Sequence, residues 1–118
     1  MTGDRPVLVV IAADPRHSGR AFEAMRIGVG VVAGENAVVF VLRGPAVHLL
    51  DDDTDALVDG DDIAKFRDNL RALGIPFHLE AEALPPASDW NSDGHSVVPV
   101  SRDEIAALLR QARRILMF

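Results

Sequence analysis

The sequence predicts an α/β fold, a three-layer α/β/α sandwich on a mainly parallel five-stranded sheet, and three observations carry that prediction. Residues 6–13 (PVLVVIAA) and 37–42 (AVVFVL) are unbroken apolar, β-branched runs, the pattern of strands covered on both faces. Segments of helical period lie between and beyond them. The resulting order, β-α-β-turn-α-β-loop-β-α-β, is that of strands joined through helices by right-handed crossovers.

Each element has a local reason. Asp14-Pro15 ends the first strand, because proline cannot extend a ladder and biases its predecessor to extended geometry. Ser18 is the expected N-cap of a helix over residues 19–33, amphipathic in its first half, apolar almost all round in its second, and stopped by Gly34. Residues 43–60 are the least regular, with a short helical turn expected at 46–50 and an acidic loop after it. Asp61 or Asp62 is expected to cap a helix whose Ile63, Phe66, Leu70 and Leu73 follow the 3.6 period; Gly74 closes it, with Pro76 just beyond. Residues 75–82 alternate strictly, Phe77, Leu79 and Ala81 on one face and His78, Glu80 and Glu82 on the other, which predicts a half-buried strand. Residues 84–96 read as a loop, 97–100 as a short strand, and 114–118 as a last strand. Ser101 and Glu104 form a capping box, S-x-x-E, that opens a helix running to Ala112.

Composition mainly excludes. The 118 residues suit one domain, 1–118, which by area scaling buries about two-thirds of its extended surface. No cysteine is present, so disulfides, thiolate nucleophiles, Cys-type zinc sites and iron–sulfur ligation are all ruled out. The net charge of −6 lacks the basic face that nucleic-acid phosphates require. No apolar run is long enough to span a membrane, and the opening MTGDRP lacks the order of a signal peptide, so a soluble cytoplasmic protein is expected.

In their order and spacing these elements resemble the DsrE/DsrF-like sulfur-relay proteins, which include the TusB, TusC and TusD subunits. The likeness rests on the first strand running into Asp14-Pro15 and a small-residue helix, and on Arg43-Gly44-Pro45-Ala46-Val47, where that family carries an Asp-Gly-Val-like turn. It continues in Leu73-Gly74-Ile75-Pro76-Phe77 before the third strand and in the closing helix and hydrophobic strand. The resemblance implies a trimer or hexamer of like or related DsrE-like subunits. It also implies a persulfide-carrying cysteine at the end of the third strand, a position that falls at or beside Glu80. Glutamate cannot form a persulfide, so the sulfur-carrying step does not transfer to this chain.

Ligands of open α/β sheets bind beyond the carboxyl ends of the strands. Three stretches end there, 14–18, 43–48 and 78–82, and place Asp14, Arg16, His17, Arg43, His48, His78 and Glu80 as a candidate binding crevice. Such a set can hold an anion or supply a His–Glu acid/base pair, aided by the helix N-terminus after Ser18. Strand-end loops are equally polar simply because they meet water. No catalytic residue, cofactor or metal is assigned. His17, His48 and Glu80 have the residue types of a two-His-plus-carboxylate site, but their spacing shows nothing about convergence in space.

Three further patterns have bland alternatives. Asp51, Asp53, Asp55, Asp59 and Asp62 match positions 1, 3, 5, 9 and 12 of a calcium loop. Ala56 stands where that loop needs glycine and Asp62 where it needs glutamate, so a solvated acidic loop is the preferred reading. Residues 28–33 match G-x-G-x-x-A, but late in a helix rather than at its start, and read as a small-residue packing surface. Trp90 reads as an anchor for its own loop, with a partner contact as the alternative.

Two functions from different classes follow. One is a non-catalytic DsrE/DsrF-like subunit or small-ligand-binding module acting in an oligomer and linked to sulfur metabolism. The other is a small enzyme using His/Glu acid–base or anion-binding groups at the strand-end crevice.

Overall fold

A computed structural model describes residues 5–86 and 88–118. β1 (Val7–Ile11) is buried along its whole length, as its unbroken apolar run requires. It pairs with β2 (Val38–Leu42) on one side and β5 (Arg114–Met117) on the other. β3 (Phe77–Glu80) and β4 (Val97–Val100) continue the sheet beyond β2, giving the order β4-β3-β2-β1-β5. All four pairings are parallel.

The pleat sorts side chains onto two faces. On the front, Val9, Ile11, Phe40, Leu42, Phe77 and Leu79 pack against Ala21, Ala24 and Met25 of α1 (Arg20–Ala33) and Ile63 and Leu70 of α2 (Gly60–Ala72). On the back, Leu8, Val10, Val41 and Val100 meet Ile105 of α3 (Arg102–Gln111), with Leu108, Leu109 and Ala112 alongside. α1 and α2 carry the chain from β1 to β3 across the front. α3 returns it across the back to the far edge at β5, so the order reverses beside β1. No helix among the described residues is long and apolar enough to cross a membrane.

The front is completed by irregular chain. Residues Gly44–Leu50 form a 3₁₀ segment that buries Ala46, Val47, Leu49 and Leu50. Arg67 of α2 is only 7% exposed; its Nη1 donates to the carbonyls of Leu49 (3.2 Å) and Asp51 (2.9 Å), and its Nη2 to Asp93. Trp90 Nε1 donates to the Val47 carbonyl at 2.8 Å, and the Asn91 N–H to that of Leu50. The ring of His95 lies 4.6 Å from that of Phe77 and a ring nitrogen lies 3.0 Å from the Ile75 carbonyl. His95 thus lies on Phe77, and Trp90 packs on the same front core, where a regular βαβ unit would place a helix. The expected role of Trp90 as its own loop's anchor is the contact seen.

Most element boundaries follow the local signals, and the departures have physical reasons. The capping box is formed, with the Ser101 N–H donating to Glu104 and the Glu104 N–H to Ser101 Oγ. α1 begins at Arg20 with Gly19 at the cap position, while Ser18 Oγ accepts from the Arg20 N–H. α2 begins earlier than expected, with Asp59 rather than Asp61 or Asp62 at the cap position, and its first residue, Gly60, packs directly on the Thr54 carbonyl with no room for a Cβ. Leu73, expected on the buried stripe, is the C-cap just beyond that helix and 58% exposed. β3 ends at Glu80 and not at 82: its partner β2 has already ended at Leu42, and residues Ala81–Ala83 turn into a 3₁₀ helix, which leaves Ala81 exposed.

Val29 and Val32 at the glycine-rich end of α1 pack on the front core, and of its two glycines only Gly28 is closely packed. A Cβ on Gly28 would collide with the ring of the fully buried Phe40, whereas one on Gly30 would meet no atom. Gly28→Ala is therefore expected to destabilise the protein by about 1–3 kcal/mol through overpacking. Gly30→Ala, in the same helix, is expected to stabilise it by about 0.5–1 kcal/mol through helix propensity. Urea unfolding reads both as opposite shifts of the midpoint at constant m-value.

Candidate functional site

The carboxyl ends of β1, β2 and β3 bring the expected residues to one edge of the sheet but divide them into separate contacts. After β1, Asp14 accepts the backbone N–H of Arg16 at 2.9 Å and is gripped by its guanidinium, Nε at 3.0 Å and Nη2 at 2.8 Å. The Arg16 hydrogen bond and charge hold the Asp14 carboxyl down to about 2. His17 Nε2 stands 4.0 Å from the same carboxylate on a largely exposed side chain. After β2, His48 Nδ1 lies 3.0 Å from both oxygens of Asp51.

Arg43 and Glu80 meet by register. Leu42 pairs with Leu79, so the next residues on the two strands stand side by side on the back face. Glu80 Oε2 accepts from Arg43 Nη2 (3.2 Å) and Nε (3.4 Å), and Oε1 accepts the Gly44 N–H (3.2 Å). Arg43 is 39% exposed, so solvent screens the pair and its net contribution is about 1 kcal/mol or less. What the contact does is orient: both Glu80 oxygens have donors. Glu80 also lines a strand-end cavity of about 270 Å³ with Ala81, Glu82, Val100, Ser101, Arg102 and Asp103.

His78 goes elsewhere. It projects from the back of β3 between Val41 and Val98 of the neighbouring strands. Its Nδ1 is buried without a partner among the described residues, and burial pushes its pKa down. The seven expected residues therefore fall into Asp14 with Arg16 and His17, His48 on Asp51, an ion pair of Arg43 with Glu80, and a separate histidine. None of these is a metal cluster: among the described residues no three His, Asp or Glu side chains converge to hold an ion. The acidic stretch is likewise divided, with Asp51 on His48, Asp52 on Ser92 and Asp53 capping its own turn at Asp55.

Two polar residues of consequence escaped the sequence reading. Arg67 lies four residues after Ile63 and three before Leu70, inside the apolar stripe of α2; that placement is a legible signal of a buried arginine. His95, 4% exposed, sits among turn residues and gives no such signal.

With this geometry in hand, comparison with known proteins is brief. No family model matches the chain, and no curated protein does. A solved structure does. The crystal structure of the ychN protein from E. coli superposes with a TM-score of 0.73, over 97% of this chain and 99% of that one, at 19% identity. At that identity the likeness is one of fold.

Burial of His95 and His78 has a consequence for pH. Unfolded imidazoles titrate near 6.5, and in the folded protein desolvation holds both lower. Between the folded value and 6.5 the unfolded chain binds more protons, so stability is full above that window and falls as pH drops through it. Asp14, held near 2, stays ionised throughout and contributes no slope there. Urea unfolding at about pH 7.5 and about pH 5.5 is expected to show lower stability at the acid value, and His95→Gln a smaller difference. Stability that is flat or rises towards acid contradicts the burial of these rings.

Proposed function

We propose that this chain is a non-catalytic subunit or small-ligand-binding module of the DsrE/DsrF-like type, a single domain that works in an oligomer of its own copies or with related subunits, in a cytoplasmic sulfur-metabolic setting. The observation that carries this reading is the state of Glu80. The resemblance puts the carrier thiol at this strand end; here a carboxylate stands there, tied to Arg43 and to the Gly44 N–H. A carboxylate cannot accept sulfane sulfur, and the chain has no cysteine to replace it. What such a domain retains is the scaffold and its surfaces for docking. The fold shared with the ychN protein supports the scaffold part of this reading.

A second reading, a small enzyme, is favoured by one feature only. His48 held by Asp51 has the arrangement of a general base with its orienting carboxylate.

Light scattering coupled to size exclusion tests the first reading. It expects a mass of three or six chains at micromolar concentration, and a monomer at every concentration overturns it. The sulfur part is read by mass spectrometry after polysulfide treatment. The native chain is expected to gain no sulfur and Glu80→Cys to gain one, while a sulfane adduct on the native chain refutes the non-carrier role. Loss of a measured activity on His48→Ala would move the assignment to the enzyme.

A further inference from the structure

Residues 88–95 lie against the front core as irregular chain, with one isolated bridge from Trp90 to Asp51. Of these eight residues only His95 is buried; Trp90 and Asn91 are half-buried and the rest are exposed. Hydrogen bonds tie the segment to the 3₁₀ stretch beside it: Trp90 Nε1 to the Val47 carbonyl, the Asn91 N–H to that of Leu50, and the Ser92 N–H to the Asp52 carboxylate. A segment with few buried apolar contacts and hydrogen bonds open to water opens at far lower cost than a sheet buried on both faces.

His95 is the plug that seats it. Asn91, at φ +52°, turns the chain inward; its Nδ2 donates to the His95 carbonyl (2.9 Å) and its Oδ1 accepts the His95 N–H (3.0 Å). The ring lands on the uncharged ring of Phe77 from β3, with Nε2 donating to the Ile75 carbonyl at 3.0 Å. Since a carbonyl accepts only from an N–H, Nε2 carries the proton of the neutral ring and Nδ1 has none. Nδ1 is buried with no partner among the described residues. A second proton there would be a buried N–H without an acceptor, a costly arrangement. It would also add a positive charge near two others. Arg67 and Arg71 of α2 both reach Asp93, two residues before His95, at 3.3 and 3.7 Å, and Arg71 also holds Asp68. Burial pushes the His95 pKa down and the charges of Arg71 and Arg67 add to this, against the pull of the Ile75 carbonyl.

We propose that residues 88–95 are an acid-released strap: when His95 takes a second proton its ring leaves Phe77, and the segment lifts off the front core while the sheet and the three helices stay folded. The sign follows from which state holds the proton. In the open state the ring titrates near 6.5, so below that value the open state binds more protons and closure weakens as pH falls. His48, beside the Val47 carbonyl that holds Trp90, acts the other way, because a proton there tightens its pair with Asp51. Release uncovers Phe77 and frees the carbonyls of Val47 and Leu50. The strap is independent of the reading of Glu80 as a lost carrier position.

Trp90 is the one tryptophan of a chain without tyrosine, so its fluorescence reports the strap. From about pH 7.5 to about pH 5, acrylamide is expected to quench Trp90 of the native protein progressively more, while far-UV circular dichroism stays constant. Protection of the Asn91 amide from hydrogen exchange is expected to fall by up to about tenfold per pH unit below about 6.5, the signature of one proton. That exchange is expected to be insensitive to low urea, unlike exchange at Val9 in β1. His95→Gln keeps a donor for the Ile75 carbonyl but takes no proton, and is expected to make quenching and protection independent of pH. His78→Gln is expected to leave both responses as in the native protein. Quenching that is flat over this range, or Asn91 exchange with the urea dependence of Val9, overturns the proposal on the native protein alone. So does a His95→Gln strap that still opens in acid, or loss of the response in His78→Gln.

Discussion

Parallel strands must be covered on both faces, and this chain covers five of them with three helices. That shortage organises everything else. On the front, α1 and α2 reach only part of the sheet, and the rest is covered by residues 44–50 and 88–95. Irregular chain lying on a core must find partners for its backbone groups, which explains why the polar residues buried there serve the backbone. Arg67 takes two carbonyls, Trp90 takes one and His95 meets another. Among the described residues no such loop lies on the back. α3 crosses alone, and the uncovered strip beside it is where His78 and Val98 lie.

The alternation of β3 decides which chemistry appears where. With Phe77 and Leu79 drawn into the front core, His78 and Glu80 can only face back. Register then sets Glu80 beside Arg43, and the end of β2 aims the Gly44 N–H at the same carboxylate. The strand-end edge is consequently a set of satisfied pairs rather than an open constellation. Asp14 with Arg16, His48 with Asp51 and Arg43 with Glu80 each meet their charge locally.

The likeness to the ychN protein at 19% identity follows from the same constraint. Buried strands and small-residue helix faces demand a pattern of apolar positions, and many sequences satisfy one pattern. A site depends on a few specific groups, and a fold carries many sites.

The strands buried on both faces, the capping box at Ser101 and the helix stop at Gly74 were all legible in the sequence, because each depends on residues close together in the chain. The same holds for the exclusion of thiol chemistry, which is a matter of composition, and for Gly28-x-Gly30 being no phosphate loop, which is a matter of position in a helix. The candidate site was legible as a set of residues but not as contacts. Nothing in the spacing said that Glu80 would reach Arg43 and Gly44 across strands, or that His78 would leave the group for the back face. Those outcomes, with the burial of Arg67 and His95 and the early end of β3, were decided by tertiary structure. They turn on strand register and on which helix covers which face, and both are settled only when distant segments pack.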